Sequence, residues 1–462
     1  MILNSLEFGW NIINAAIATH MHPAQIDRLQ RQRLEQILGH AYASSRFYRA
    51  LYSNLDITKA SLSDIPVVNK QELMLHFDDW VTDPEIKIKT LRKFVSKKSN
   101  ITDLYLGKYI IWESSGSCGK PGFFLQDSRI MGIYDALEAI RKPASEIWQH
   151  ALNPLWVGER VAFVGAIGEH FASNVSYERI KAMMPMDLGI FKSFSILDPI
   201  DEIVSSLNIF NPSYLITYPT AAVTLAERSA LGSLKIHLRE LWTGGETLTK
   251  SMRKFIEKEF IAKVRNSYGA SEFLPIAREC DSGNLHVNSD WVILEAVDEK
   301  YQPIPDGRMS YTTLLTNLAN EVQPLIRYDI GDSIRFHTEK CPCGSHFPAI
   351  DVIGRNDDLI RILNDKGEII NLLPLALTTV MEEEAGIFDF QIAQQDKTTL
   401  LLRLPYQNNR PHPSMGLCEL ILKSYLSKQG ASKVSLMKES MIQLMPSRSG
   451  KLNRIIADKQ GD

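Results

Sequence analysis

An α/β fold with a large layered body and a smaller C-terminal unit is what this sequence of 462 residues predicts. Three observations point to it. The chain is about three times the length of a single domain, so it has ample material for more than one packed unit. Between residues 90 and 353, short β-rich runs (161–166, 214–217, 238–243, 263–268, 291–297) alternate with helix-like segments such as 250–260; such alternation predicts a layered core. After Gly354 a charged link, Arg355-Asn-Asp-Asp358, precedes about a hundred residues with their own alternation (388–393, 399–404), the size of a small second domain. The expected division is 1–353 and 354–462, with the first 90 or so residues mainly helical.

Each part has a local reason. Leu29, Leu34, Ile37, Leu38, Ala41 and Tyr42 recur at helical spacing over 24–51, and Ser61-Leu-Ser-Asp-Ile-Pro66 then breaks the pattern. The apolar stretch 8–19 follows Glu7 and has neither a basic leader nor a small-residue cleavage site, so it reads as an amphipathic helix rather than a signal peptide. The uncharged run 203–226 contains Pro212, Pro219, Asn208 and Asn211, which suit a turn, a strand and a helix start better than a membrane span.

Composition limits the function classes. Hydrophobic residues at 44% and charged residues at 23% match a globular enzyme and exclude a disordered chain. Lys and Arg total 51 against 54 Asp and Glu, a net charge of -3, so no global basic field exists to hold nucleic acid or an anionic membrane. Phosphate binding must then be local. Five cysteines, an odd number in a large chain, predict reduced thiols in a cytoplasm, with metal ligation as the alternative. The sequence leaves homodimerisation open.

Several segments carry possible chemistry. Trp112-Glu-Ser-Ser-Gly-Ser-Cys-Gly-Lys-Pro-Gly122 lies between two β-like runs and gathers small residues, hydroxyls and backbone N–H groups suited to an anion. It is not a Walker A loop, because the Gly116 to Lys120 spacing is wrong and Pro121 stands where a magnesium-binding hydroxyl would be. Thr243-Gly-Gly-Glu-Thr247 and Asn266-Ser-Tyr-Gly-Ala-Ser-Glu272 each end a β-like run, where open α/β sheets bind ligands. Ile326-Arg-Tyr-Asp-Ile-Gly-Asp332 offers a carboxylate to a ribose diol, and Pro446-Ser-Arg-Ser-Gly-Lys451 a flexible cation. Each alone is equally a glycine hairpin, a strand-to-helix turn, an exposed loop Asp or a solvated tail lysine.

Taken in order, these segments resemble the adenylate-forming superfamily of acyl-CoA synthetases, peptide-synthetase adenylation domains and luciferases. The stretch from Leu34 to Tyr48, the Ser61 to Pro66 turn, and Cys341-Pro-Cys-Gly344 ahead of Gly354 to Asp358 are similar to the phenylacetate-CoA ligase branch. The resemblance covers roughly residues 30 to 455. It implies a large AMP-binding domain and a small mobile α+β lid that turns about a hinge at Asp357. It also implies ATP-dependent activation of a carboxylic acid to an acyl-adenylate, then transfer to coenzyme A or to a carrier-protein phosphopantetheine; a catalytically silent nucleotide-binding scaffold is the alternative from another class.

The resemblance assigns roles residue by residue. Ser114, Ser115, Gly116, Ser117, Gly119 and Lys120 would wrap the β- and γ-phosphates. Gly244, Gly245, Glu246 and Tyr268 would form the adenine pocket, with Gly269 and Ser271 on the same nucleotide-facing turn, and Asp332 would hold the ribose. Glu272 corresponds to the magnesium-associated carboxylate, Arg355 adds charge near ribose and phosphate, and Lys451 reaches the α-phosphate. Cys118 replaces a hydroxyl in the phosphate loop, a weaker donor, and Tyr328-Asp-Ile-Gly-Asp332 departs from the more general Tyr-Arg-Thr-Gly-Asp. The acyl pocket is expected around 164–171 and 214–220, with His170, Phe171 and Tyr218 as candidate contacts that suit an aromatic acid.

A second site is expected at Cys280, His286, Cys341 and Cys343, a three-Cys, one-His set that suits structural zinc. The resemblance implies the same, since some relatives carry a knuckle here. Free thiols beside an unrelated histidine are the alternative, and His337 or His346 could replace His286.

Overall fold

The computed structural model describes residues 5–114, 122–141, 158–167, 170–183, 189–353, 360–387, 390–406, 412, 414–441 and 454–457. The chain starts in helices Ser5–Thr19, Pro23–Ser44 and Arg46–Leu51. Where the sequence predicts one helix over 24–51, the structure breaks it at Ser45. That residue takes an extended backbone, and its hydroxyl accepts the Tyr48 amide, so a side-chain cap starts a new helix. Helix Ser5–Thr19 packs its Ala15 and Ala18 inward yet leaves Trp10, Ile13 and Ile17 exposed. It is therefore apolar on both faces rather than amphipathic. None of the described helices is long and apolar enough to cross a membrane.

A hairpin, β1 (Ile110–Glu113) and β2 (Phe123–Gln126), leads to the helix Ser128–Ile140. A nine-stranded sheet forms the body. Its members are β3 (Val161–Gly165), β4 (Phe191–Ser195), β5 (Tyr214–Thr217), β6 (Glu240–Thr243), β7 (Lys263–Ala270), β8 (Phe273–Glu279), β9 (Leu285–Val287), β13 (Ser333–Phe336) and β14 (Ala349–Ile353). A three-stranded antiparallel sheet of β10 (Val292–Val297), β11 (Thr312–Asn317) and β12 (Tyr328–Asp329) lies between β9 and β13 in sequence. The order across the large sheet is β13-β14-β9-β8-β7-β6-β5-β3-β4. From β4 to β7 neighbouring strands are parallel, and from β7 to β13 they are antiparallel. The parallel strands are linked by helices Ala172–Met183, Ile200–Phe210, Pro219–Ala230 and Lys250–Phe260. That cover explains why every residue of β3, Val-Ala-Phe-Val-Gly, is buried.

The N-terminal segment is stitched onto the body at β12. Val68 bridges Tyr328, with its amide donating to the Arg327 carbonyl. Arg327 is 4% exposed and holds a left-handed φ of 48°. Its guanidinium donates to Glu295 at 3.1 Å and to the carbonyls of Ser63 and Ile65 at 3.2 and 2.7 Å. A buried charge with that many partners fixes where residues 63–70 lie relative to the sheet.

The later strands are β15 (Ile360–Leu363), β16 (Ile369–Leu372), β17 (Gln391–Asp396), β18 (Thr399–Pro405), β19 (Ser435–Met441) and β20 (Ile455–Ile456). β15 pairs with β16, and a separate four-stranded sheet runs β19-β18-β17-β20. Helix Met415–Lys428 covers it through Leu422 and Leu426. Polar links hold these elements to the body, including Arg361 to Glu227 at 2.9 Å and Lys428 to Asp198 at 2.8 Å. One apolar core is continuous between the parallel strands and this C-terminal sheet, and a second lies under the N-terminal helices, the hairpin and β8 to β12.

Candidate active site

The parallel strands aim their carboxyl ends at one large cavity of about 1580 Å³. β6 ends at Thr243, whose hydroxyl donates to Asn266 Oδ1 of β7 at 3.1 Å, so the two turns that follow are held side by side. Gly245 has φ +79°, and a Cβ there would press on the Tyr218 ring at 3.2 Å. At Gly269 an added Cβ would lie 2.0 Å from the Leu274 carbonyl oxygen, so no other residue fits the bulge where β7 crosses to β8. Glu246 turns back: its Oε2 accepts the Thr220 amide at 3.0 Å and hydroxyl at 2.8 Å, in the first turn of helix Pro219–Ala230. These contacts make a wall of backbone, Tyr218 ring and carboxylate.

On the adjacent strand β7, Tyr268 donates its hydroxyl to Asp332 Oδ2 at 2.9 Å. Burial, then the Asp332 charge, pushes the Tyr268 phenol well above its usual range, so it stays a donor. Glu272 is 8% exposed, and Tyr328 donates to its Oε1 at 2.8 Å. Burial pushes its carboxyl up, while the Tyr328 hydrogen bond and then the Lys70 charge pull it back. Asn317 braces the same residue, giving one Nδ2 bond to the Glu272 carbonyl at 2.9 Å and another to the Tyr134 hydroxyl at 3.1 Å. A buried carboxylate compensated only in part fits a hard cation.

The native protein holds the Glu272 proton to higher pH than the unfolded chain does, so stability falls as pH rises through that window. Glu272→Gln keeps an acceptor for Tyr328 and removes the buried charge. In nucleotide-free protein it is expected to raise Tm by about 2 °C or more at neutral pH. Thermal melts across pH 4–8 check this, and the gain should shrink toward the acid end.

The structure brings together Gly244, Gly245, Glu246, Tyr268, Gly269, Ser271, Glu272 and Asp332, all of which line the cavity, with Ser114, Phe171 and Tyr218. Ser114 closes the neck of the small-residue loop: its amide donates to the Gly122 carbonyl at 2.8 Å, and its Oγ accepts the Gly122 amide at 3.0 Å. Ser115, Gly116, Ser117, Gly119, Lys120, Arg355, Asp357 and Lys451 lie outside the described residues. His170 is 1% exposed, with its ring 6.1 Å from that of Phe94, and is not among the residues lining the cavity. Sequence reasoning missed Lys70, Tyr134 and Arg454, which line the cavity too. Only the extended Pro66-Val-Val-Asn69 stretch before Lys70 hinted that this segment could pair with a strand.

The structure also brings the four cysteine and histidine residues together. Cys280, His286, Cys341 and Cys343 bring one donor atom each to within 4.8 Å of one another. Two tight turns shape it, one closed by Gly283 N–H to the Cys280 carbonyl at 3.0 Å and the other by Gly344 N–H to the Cys341 carbonyl at 3.1 Å. His286 sits on β9, with Nδ1 2.8 Å from the Phe347 carbonyl oxygen, which leaves Nε2 for a metal, 3.3 Å from the Cys343 sulfur. Burial raises the Cys341 thiol, but hydrogen bonds from Asn284 and its neighbours outweigh that and bring it down to about 6. The donor set and its backing fit a closed tetrahedral ion. His337 instead pairs with Asp351 at 3.1 Å, and the His346 ring stands 5.4 Å from that of His22.

No family model matches the chain. Among curated proteins it is 24% identical over 395 residues to Protein CapK of Staphylococcus aureus, covering 82% of this chain and 78% of that one. It is 24% identical over 371 residues to the phenylacetate-coenzyme A ligase of Thermus thermophilus, covering 76% and 74%. The solved structure of 2-hydroxyisobutyryl-CoA ligase with 2-HIB-AMP and CoA in the thioesterification state matches with a TM-score of 0.59 at 18% identity, over 96% of this chain and 92% of that one. The fold is that of the adenylate-forming superfamily, a large α/β body with a smaller C-terminal part. In sequence, the chain is similar to the phenylacetate-CoA ligase-like branch of it.

Proposed function

We propose that this protein is an acid–thiol ligase that activates a carboxylic acid with ATP and passes the acyl group to coenzyme A. One observation carries the reading: a single cavity is lined by the Gly244–Gly245–Glu246 turn, the Tyr268–Asp332 pair and the Glu272–Tyr328 pair. The glycine turn with Glu246 and Tyr268 suits an adenine, and Asp332 a ribose diol. An ionised carboxylate needs no general base. Its oxygen attacks the α-phosphorus, the bond to the bridging oxygen breaks, and pyrophosphate leaves with the electron pair. The sulfur of the thiol then attacks the acyl carbon; AMP departs, and the thiol proton passes to solvent.

Charge neutralisation is the main demand of the first step. Glu272 would hold magnesium, which would offset phosphate charge when bound. The Ser114 to Lys120 loop would grip the outer phosphates, with Arg355 near the ribose. Lys451 would reach the α-phosphate from a C-terminal lid, residues 354–462, turning about Asp357. Phe171 and Tyr218 suit an aromatic acid. The Cys280, His286, Cys341 and Cys343 set would hold a structural zinc.

Exchange of labelled pyrophosphate into ATP over a panel of aryl and alkyl acids tests this. Exchange that depends on an acid is expected, and subsequent thioester formation with free coenzyme A rather than with a phosphopantetheinyl carrier protein. Silence with every acid would leave the nucleotide-binding scaffold, and carrier-only transfer would change the acceptor.

A further inference from the structure

Beyond the nucleotide wall, the cavity continues between helix Ser128–Ile140 and helix Ala172–Met183. Tyr134 marks the entrance, through its tie by Asn317 to Glu272. Asp135 and Glu138 follow on the same helix, and Glu138 stands about 6 Å beyond Tyr134 at 1.5 Å per residue. Across from them, Ser173, Ser176 and Arg179 share one face of their helix at a spacing of three residues. The Arg179 guanidinium grips both oxygens of Asp135, one of them at 3.0 Å, and Arg278 pairs with Glu138.

This wall is unlike a pocket for a plain hydrocarbon. The Asp135–Arg179 pair is largely buried, with side chains 23% and 12% exposed. Burial pushes the Asp135 carboxyl up, Arg179 pulls it back, and the Glu138 charge adds to the rise. Among the described residues Ser176 Oγ is buried with no hydrogen-bond partner. Such a group costs stability unless a ligand satisfies it. Two acids face two bases, so a formal charge on the substrate would meet a like charge beside each opposite one. A neutral donor–acceptor avoids that: it can donate to a second lone pair of Asp135 and accept from Ser176.

We infer that the acid activated here carries a hydroxyl on the end away from its reacting carboxylate, read by Asp135 and Ser176 with Arg179 holding Asp135 in place. The inference rests on the ligase reading above and specifies its substrate. Matched pairs of acids test it: benzoate against 4-hydroxybenzoate, and phenylacetate against 4-hydroxyphenylacetate, in acid-dependent pyrophosphate exchange. The hydroxylated member of at least one pair is expected to have a kcat/KM about tenfold higher or more. Ser176→Ala and Asp135→Asn should each reduce that ratio toward one. The double variant Asp135→Asn/Arg179→Gln keeps the charge balance if a single change unfolds the wall.

Preference for the unsubstituted acids overturns the inference and leaves the ligase intact. So does a ratio unchanged in variants whose Tm has fallen, since the ion pair is then a clamp between two helices only. Silence of every acid with folded protein overturns the ligase reading and this inference with it.

Discussion

Lys451→Ala is expected to reduce acid-dependent pyrophosphate exchange by about 10²- to 10³-fold, the usual effect of deleting one preorganised group that stabilises developing charge. Thiolysis of a chemically prepared acyl-adenylate by the same variant should proceed near the wild-type rate. The reason lies three residues downstream. Arg454 is 2% exposed, forms an ion pair with the buried Glu382, and lines the cavity. The chain then enters β20, which pairs in parallel with β17 at Ile392 and Ala393. The role proposed for Lys451 rests on this buried anchor, since three residues span about 10 Å at most. A long stem carrying one point charge can cover the remaining distance. Comparing exchange with thiolysis separates the first half-reaction from the second; an equal loss in both would indicate a folding defect instead.

Cys341→Ser is expected to lower zinc from about one ion per chain to near zero and to depress Tm by about 5 °C or more, at roughly 2–4 °C per kcal/mol for a unit of this kind. Cys341 sits at the start of one turn and Cys280 at the start of the other, with their sulfurs 3.6 Å apart. Removing one thiolate opens a site that otherwise leaves no coordination position for water. Strands β9 and β14, which frame the cluster, pair only at Ala349 with His286 and Ile350 with Leu285, a short ladder that the ion would reinforce. Metal analysis of purified protein, and melts before and after a chelator, check it. Wild-type protein without stoichiometric zinc would return the four residues to ordinary thiols and a packed histidine.

Much of the body was legible because its signals are local. The run 214–217 is a strand with those bounds, and 250–260 is a helix with those bounds. Apolar runs bounded by turn residues announce themselves, as does the period of an amphipathic helix. The turn residues of the site were readable for the same reason: Gly245 and Gly269 are required by a backbone conformation and by a close approach that no other residue allows. The strand expected over 238–243 begins only at Glu240, while Leu238 joins the core from the loop leading in. For the strand expected over 388–393, the described strand starts at Gln391, while 388 and 389 lie outside the described residues.

What stayed hidden depends on contacts between distant parts of the chain. Lys70 reaches the site only because Val68 pairs with Tyr328, 260 residues on in the sequence. Tyr134 matters through Asn317, and Arg327 through Glu295 and two carbonyls near residue 64. No spacing rule encodes such partners. The cysteine–histidine set is the exception. Its residue types are scarce enough that listing them nearly identifies the cluster, although two segments 61 residues apart had to meet to form it.

Strand β7 has parallel β6 on one side and antiparallel β8 on the other. Inserting or deleting a single amino acid within it would turn its alternating side chains over and would displace Tyr268 and the turn that carries Glu272 together. Variation in the length of this segment is therefore closed to the protein, and any retuning of its ligand preference must come from the helices facing the cavity.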